Sequence, residues 1–292
     1  METDLASTMI DYGLGCRLPA EDWAQLNRHG AFQDPSLSIH TGPFPPMELM
    51  YNTTGLRSQT DFASHGADFW LALSDASPKP LSDFASVLDF GCGCGRLARM
   101  FKGHQGYIAG CDIDHRHVEW CASAIDYFDA RLSRVKPPIP FATDEFEAVI
   151  SISIFSHLNE SGQDEFLQEL ARVCKPEGVL FLTIHGQRAM TRALSEQRIR
   201  DLLEMSDELF EEARRKFERD ELAFVLQQGH LTTMNNGAST AGKAIADPYE
   251  YGITFMSEAY VRRHWSQWFE IIDYRAGGIH DFQDIVVLRP RK

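Results

Sequence analysis

The chain has 292 residues, 43% hydrophobic and 24% charged, the composition of an ordinary globular protein long enough for one large α/β domain with additions. Its 28 Lys+Arg against 42 Asp+Glu give a formal charge of −14, a field that repels phosphate backbones and anionic lipid, so neither nucleic acid nor membrane is an expected partner. Six cysteines without paired Cys/His spacing read as free thiols with no metal site, and an acidic start with no apolar run predicts a soluble, cytoplasmic protein.

Residues 1–60 are broken by Pro35, Pro43, Pro45 and Pro46 and read as an N-terminal cover. Phe62, Phe69, Trp70 and Leu73 recur at helical spacing in 61–76, and Pro78 and Pro80 end that helix. An alternation follows: strand 86–90, helix 94–102, strand 106–114, helix 116–128, strand 147–155, helix 162–174 and strand 178–184. This βαβ pattern implies a mostly parallel sheet with helices on both faces. The charged stretch 195–228 reads as helical, with a loop at 229–248, so residues 187–250 are expected to form a helical cap inserted after the core at 61–186. Ser257 is the expected N-cap of a helix over 258–268, whose Trp265 and Trp268, like Phe269, read as packing against the sheet. Residues 251–292 then close the core with a hairpin, 269–278 and 280–290, turning at Gly277-Gly278. The fold class is therefore α/β, a seven-stranded, mostly parallel sheet with an antiparallel closing hairpin.

The chemistry concentrates in Val87-Leu88-Asp89-Phe90-Gly91-Cys92-Gly93-Cys94-Gly95-Arg96, a strand entering a glycine-rich turn. Glycines there admit positive φ and let a ligand approach the backbone closely. Asp112 ends the next strand, where a carboxylate accepts hydrogen bonds from both hydroxyls of a ribose. A dinucleotide fingerprint needs a third glycine at position 96, which is Arg, and Asp89 repels a pyrophosphate while suiting a cationic ligand.

This segment resembles the first motif of the class I S-adenosylmethionine-dependent methyltransferases, small-molecule type. The second motif is similar at 110–114, the stretch crossing the fourth strand at 139–158, and the turn into the fifth at 172–186, where Glu177 stands in place of the family's usual glycine. The resemblance implies S-adenosyl-L-methionine as cofactor, with Asp89, Gly91, Cys92, Gly93 and Gly95 along its methionine moiety. It places Asp112 on the ribose, Ile113 against the adenine, and Ser153 and Ile154 near the amino group. It gives no adenine-edge acid, since Asp129 is misplaced for that role.

His157 and His185, at the ends of strands four and five, are the candidate general bases for transfer to an O, N or C atom of a small acceptor such as a saccharide or other metabolite. A structural role for each is the simpler reading of the residues alone. Two other functions fit the same βαβ unit: a nicotinamide-dependent oxidoreductase, and a non-catalytic S-adenosylmethionine binder. Oligomeric state is not legible in the sequence.

Overall fold

The computed structural model describes residues 11–227 and 249–292; the loop expected at 229–248 lies outside them. In chain order the helices are α1 (Ala20–Arg28), α2 (Met47–Thr54), α3 (Gln59–Ala76), α4 (His115–Ala124), α5 (Glu160–Val173), α6 (Gln187–Ser195), α7 (Gln197–Leu203), α8 (Asp207–Glu218) and α9 (Glu258–His264). The strands are β1 (Ser86–Phe90), β2 (Tyr107–Asp112), β3 (Asp129–Leu132), β4 (Phe146–Ser151), β5 (Cys174–Ile184), β6 (Ala223–Leu226), β7 (Gly252–Phe255), β8 (Phe269–Ile279) and β9 (Gln283–Pro290).

Seven strands form one sheet in the order β3-β2-β1-β4-β5-β9-β8. Strands β1 to β5 run parallel, and β9 enters antiparallel between β5 and β8. Alternate side chains of the central strands serve opposite faces, as the pleat requires. Val87, Ile108, Ile150 and Phe181 pack with Trp23, Trp70, Leu73 and Phe101 on the α1/α3 side. Leu88, Ala109, Val149 and Leu182 pack with Phe166, Leu170, Tyr260 and Trp265 on the α5/α9 side. This is the seven-stranded α/β architecture expected from the sequence.

Local chemistry explains the element ends. Ser58 Oγ accepts from the Asp61 amide at 3.0 Å and starts α3. Asn159 caps α5 through Gly162 at 2.8 Å, and Ser257 caps α9 through Tyr260 at 3.0 Å. The N-terminal segment is fastened to the core by buried Arg99, whose Nε donates to the carbonyls of Gly42 (3.1 Å) and Pro43 (2.8 Å).

Four local expectations are corrected. The helix expected at 94–102 is a turn with only a 3-10 segment at Ala98–Phe101, because positive φ at Gly91, Gly93 and Gly95 spends those residues on the turn. Strand β3, absent from the sequence reading, is a four-residue sheet edge with no buried residue. The end of the helical stretch at 195–228 is instead β6, which pairs antiparallel with β7. The hairpin turns at His280-Asp281, both at positive φ and closed by Phe282 N donating to Ile279 O at 2.9 Å. Gly277 lies within an irregular stretch of β8 pairing.

Candidate functional site

The strand order reverses at β1, between β2 and β4, and in an open α/β sheet that reversal opens a crevice at the strands' carboxyl ends. The glycine turn floors it. Gly91 has φ 78°, and a Cβ there would meet the Ile154 side chain, 2.5 Å from Cγ1. The amides of Gly91 and Cys92 donate to Cys111 O at 2.9 and 3.1 Å, tying the turn to β2.

Asp112 is fixed by donors from two directions. The Gly93 amide donates to its Oδ2 and the Asp114 amide to its Oδ1, each at 2.9 Å. His117 Nδ1 lies 3.8 Å from Oδ1, and its Nε2 is 3.1 Å from Thr53 Oγ1 on α2. The N-terminal segment thus reaches the site through Thr53.

Asp89 stands differently. Its side chain is buried, and Oδ2 has no hydrogen-bond partner among the described residues. Burial pushes its pKa up to about 7, and the like charge of Asp112 adds to the rise against a lowering by Arg96. A buried, unpartnered carboxylate oxygen beside a glycine turn suits an incoming ammonium group.

The crevice has two halves that share Gly91, Asp112 and Ile154. One, about 650 Å³, is mostly apolar and includes Ile113, Ser133, Val135, Phe166 and Tyr249. The other, about 620 Å³, is more charged and includes Thr53, Phe69, Asp89, Gly93, Arg96 and Ser153. Ser153, at φ 60°, is held by its amide to Thr183 Oγ1 (2.8 Å) and by its hydroxyl to Gln283 Nε2 (2.8 Å).

Of the residues singled out in the sequence, Asp89, Gly91, Cys92, Gly93, Asp112, Ile113, Ser153, Ile154 and His157 line one half or the other. Gly95 lines neither; a Cβ on it would lie 2.7 Å from Ile125 Cδ1, so its space is taken by helix packing. His185 is buried against Phe255 and Phe282 outside both lining sets, and burial, then His157, brings its pKa down to about 3. His157 stacks on Tyr251 with ring centroids 4.7 Å apart. Its Nδ1 lies 2.8 Å from Gly252 O, an acceptor only, so that nitrogen carries a proton. All six cysteines are buried free thiols.

Sequence reasoning missed Thr53, Phe69, His117, Ser133, Val135 and Tyr249, of which Thr53, Phe69 and Tyr249 arrive from elements distant in the chain. Ser133 had a findable signal, since it directly follows β3 as Asp112 ends β2. Asp129, the poorly placed adenine-edge candidate, accepts from Tyr107 Oη at 2.6 Å and pairs with Arg131.

Comparison with known proteins finds methyltransferases. Residues 87–178 match the family model described as a methyltransferase domain. Over 99 residues, 34% of this chain, there is 30% identity to the tRNA (carboxymethyluridine(34)-5-O)-methyltransferase of Arabidopsis thaliana; the match spans 23% of that relative's length. The PH0226 protein of Pyrococcus horikoshii OT3 is similar in structure, with TM-score 0.54 and 15% identity over 82% of this chain and 96% of that one. An S-adenosylmethionine dependent methyltransferase from Mesorhizobium loti has TM-score 0.50 and 12% identity over 77% and 98% of the two chains. Residues 87–178 are thus similar to methyltransferase domains, and the surrounding sheet shares its fold with these solved structures.

Proposed function

We propose that this protein transfers the methyl group of S-adenosylmethionine to a small-molecule acceptor. The observation that carries the reading is the pairing of a buried, unpartnered Asp89 oxygen with a pinned Asp112 across the glycine turn. Asp89 would receive the donor's ammonium, Asp112 its ribose hydroxyls, and Ile113 with Val135 its adenine. When bound, S-adenosylmethionine supplies an electrophilic methyl: the acceptor's lone pair forms the new bond as the carbon–sulfur bond breaks and its electron pair returns to sulfur.

The protein's own contribution is position and proton removal. Holding two reactants aligned in a closed site supplies about 7–11 kcal/mol in well-oriented systems. His157, with Nε2 unprotonated, would take the proton of a hydroxyl or ammonium acceptor, with His185 behind it as support. Residues 187–227 begin at the carboxyl end of β5, and we assign acceptor selection to the 187–250 region. A charge of −14 disfavours a polyanionic acceptor, which supports the small-molecule reading over the one suggested by the tRNA-methylating relative.

Calorimetric titration with S-adenosylmethionine and S-adenosylhomocysteine tests the donor site, and transfer of labelled methyl to metabolite and tRNA panels tests the acceptor. Micromolar donor binding with label only on metabolites is expected. Label on tRNA would replace the acceptor reading, and stabilisation by NAD alone would replace the donor.

A further inference from the structure

Arg96 lines the charged half of the crevice beside the donor residues, and two histidines that line neither half stand next to it. Arg96 follows the glycine turn, with its guanidinium 4.3 Å from the centre of the Phe69 ring. Among the described residues it makes no hydrogen bond or ion pair, and desolvation brings its pKa down to about 10. His280 and His65 gather at the same ring, with centroids 5.7 and 6.5 Å from Phe69 and 4.6 Å from each other. Three separate elements deliver them: α3 supplies His65 and Phe69, the turn after β1 supplies Arg96, and the β8–β9 turn supplies His280.

The neighbouring anions are Asp68, Asp61 and Asp89. Asp68 receives His280 Nε2 at 2.9 Å and is also paired with Arg28. Asp61 and Asp68 act on His65 from its own helix, and Asp89 acts on Arg96 through space. Against them, burial first, then His280 and Arg96, hold the proton affinity of His65 down. In a chain of charge −14, a desolvated arginine with two histidines beside it and no carboxylate bonded to it is a place prepared for a bound anion.

We propose that Arg96, with His65 and His280 beside it, binds the carboxylate of the acceptor, so the molecule methylated is a small monocarboxylic acid held at this arginine. The proposal rests on the methyltransferase reading and narrows its substrate class. A planar guanidinium matches a planar carboxylate through two parallel hydrogen bonds. A phosphate dianion would meet stronger repulsion from Asp89 and Asp112, which line the same half of the crevice.

The test is calorimetric titration of the protein saturated with S-adenosylhomocysteine, using acetate, butyrate, benzoate and 4-hydroxybenzoate and the corresponding amides as probes. At least one acid binds at least tenfold more tightly than its amide, and Arg96→Gln weakens that acid at least tenfold. His280→Asn, in which asparagine accepts the φ of 54°, weakens it three- to tenfold and carries the test if Arg96→Gln does not fold. His280→Asn keeps S-adenosylhomocysteine affinity within threefold, and Arg96→Gln, which also raises the proton affinity of Asp89, loses less than tenfold. Equal binding of acids and amides, or no binding of any acid, overturns the proposal. So does a tenfold loss of S-adenosylhomocysteine affinity in Arg96→Gln, which would put the donor's own carboxylate on Arg96. Failure of the wild type to bind S-adenosylhomocysteine would sink the donor reading itself, a separate result.

Discussion

Asp112 raises the proton affinity of Asp89 on the neighbouring strand, and the two carboxylates differ in how each is satisfied. Asp112 accepts from two backbone amides, whereas Asp89 Oδ2 is buried without a partner among the described residues, its pKa lifted to about 7. Between the ordinary carboxylate range and pH 7 the folded protein therefore holds a proton that the unfolded chain has released. Stability of the unliganded protein then falls as pH rises through that window. A cationic donor favours the ionised form, so its affinity moves the other way. We expect S-adenosylmethionine binding to weaken by up to about tenfold per pH unit below 7, with proton release visible in buffers of different ionisation enthalpy. Asp89→Asn abolishes both the proton release and the pH slope.

Asp112→Ala has two effects of opposite kind. Losing a carboxylate that holds the Gly93 and Asp114 amides costs about 2–3 kcal/mol, a drop in Tm of roughly 4–10 °C. Removing its charge also relieves Asp89, whose pKa should fall. Donor affinity drops at least 30-fold, and the pH midpoint of the residual binding moves to lower pH. An unmoved midpoint would mean that burial alone sets the Asp89 shift.

Gly91 and Gly95 separate the ligand-facing from the packing role of the turn. Gly91→Ala, at φ 78° and against Ile154, pays about 1–2 kcal/mol for the left-handed backbone plus a collision in the crevice, and donor affinity falls at least tenfold. Gly95→Ala meets Ile125 and Cys121 instead, so it loses stability with a smaller change in donor affinity. Gly55→Ala, at φ 71° with nothing within 4 Å, costs about 1 kcal/mol and leaves donor affinity unchanged. Urea unfolding with calorimetry on the three variants checks the ordering.

What could be read from the chain follows the range of the forces involved. β1, β4 and β5 are buried and apolar enough to announce themselves, and Asp89, Gly91 and Asp112 sit at fixed offsets from strands, so their convergence is a local matter. β3 is a short edge strand, Asp-Ala-Arg-Leu, stabilised by its neighbour rather than by its own pattern. Ala223–Leu226 follows directly on a charged helix and becomes a strand only because Gly252–Phe255 returns beside it. Thr53, Phe69 and Tyr249 reach the crevice by tertiary packing of distant segments, which no short-range spacing encodes.

His157 and His185 lie with ring centroids 6.0 Å apart, yet only His157 lines the crevice. The hydrogen bond to Gly252 O keeps a proton on Nδ1, so Nε2 is the basic atom of the neutral ring, with Tyr251 Oη 3.5 Å away. His185, buried and with its pKa near 3, stays neutral across the working range and lines neither half of the crevice. If the acceptor must lose a proton, His157→Gln lowers kcat by about 10²-fold or more while S-adenosylmethionine affinity stays within threefold. His185→Asn costs stability but leaves kcat within threefold. The kcat–pH profile at saturating donor distinguishes the two: its acidic limb disappears in His157→Gln and persists in His185→Asn. Loss of turnover confined to the His185 variant, with donor binding intact, would reverse the assignment and make His185 the base.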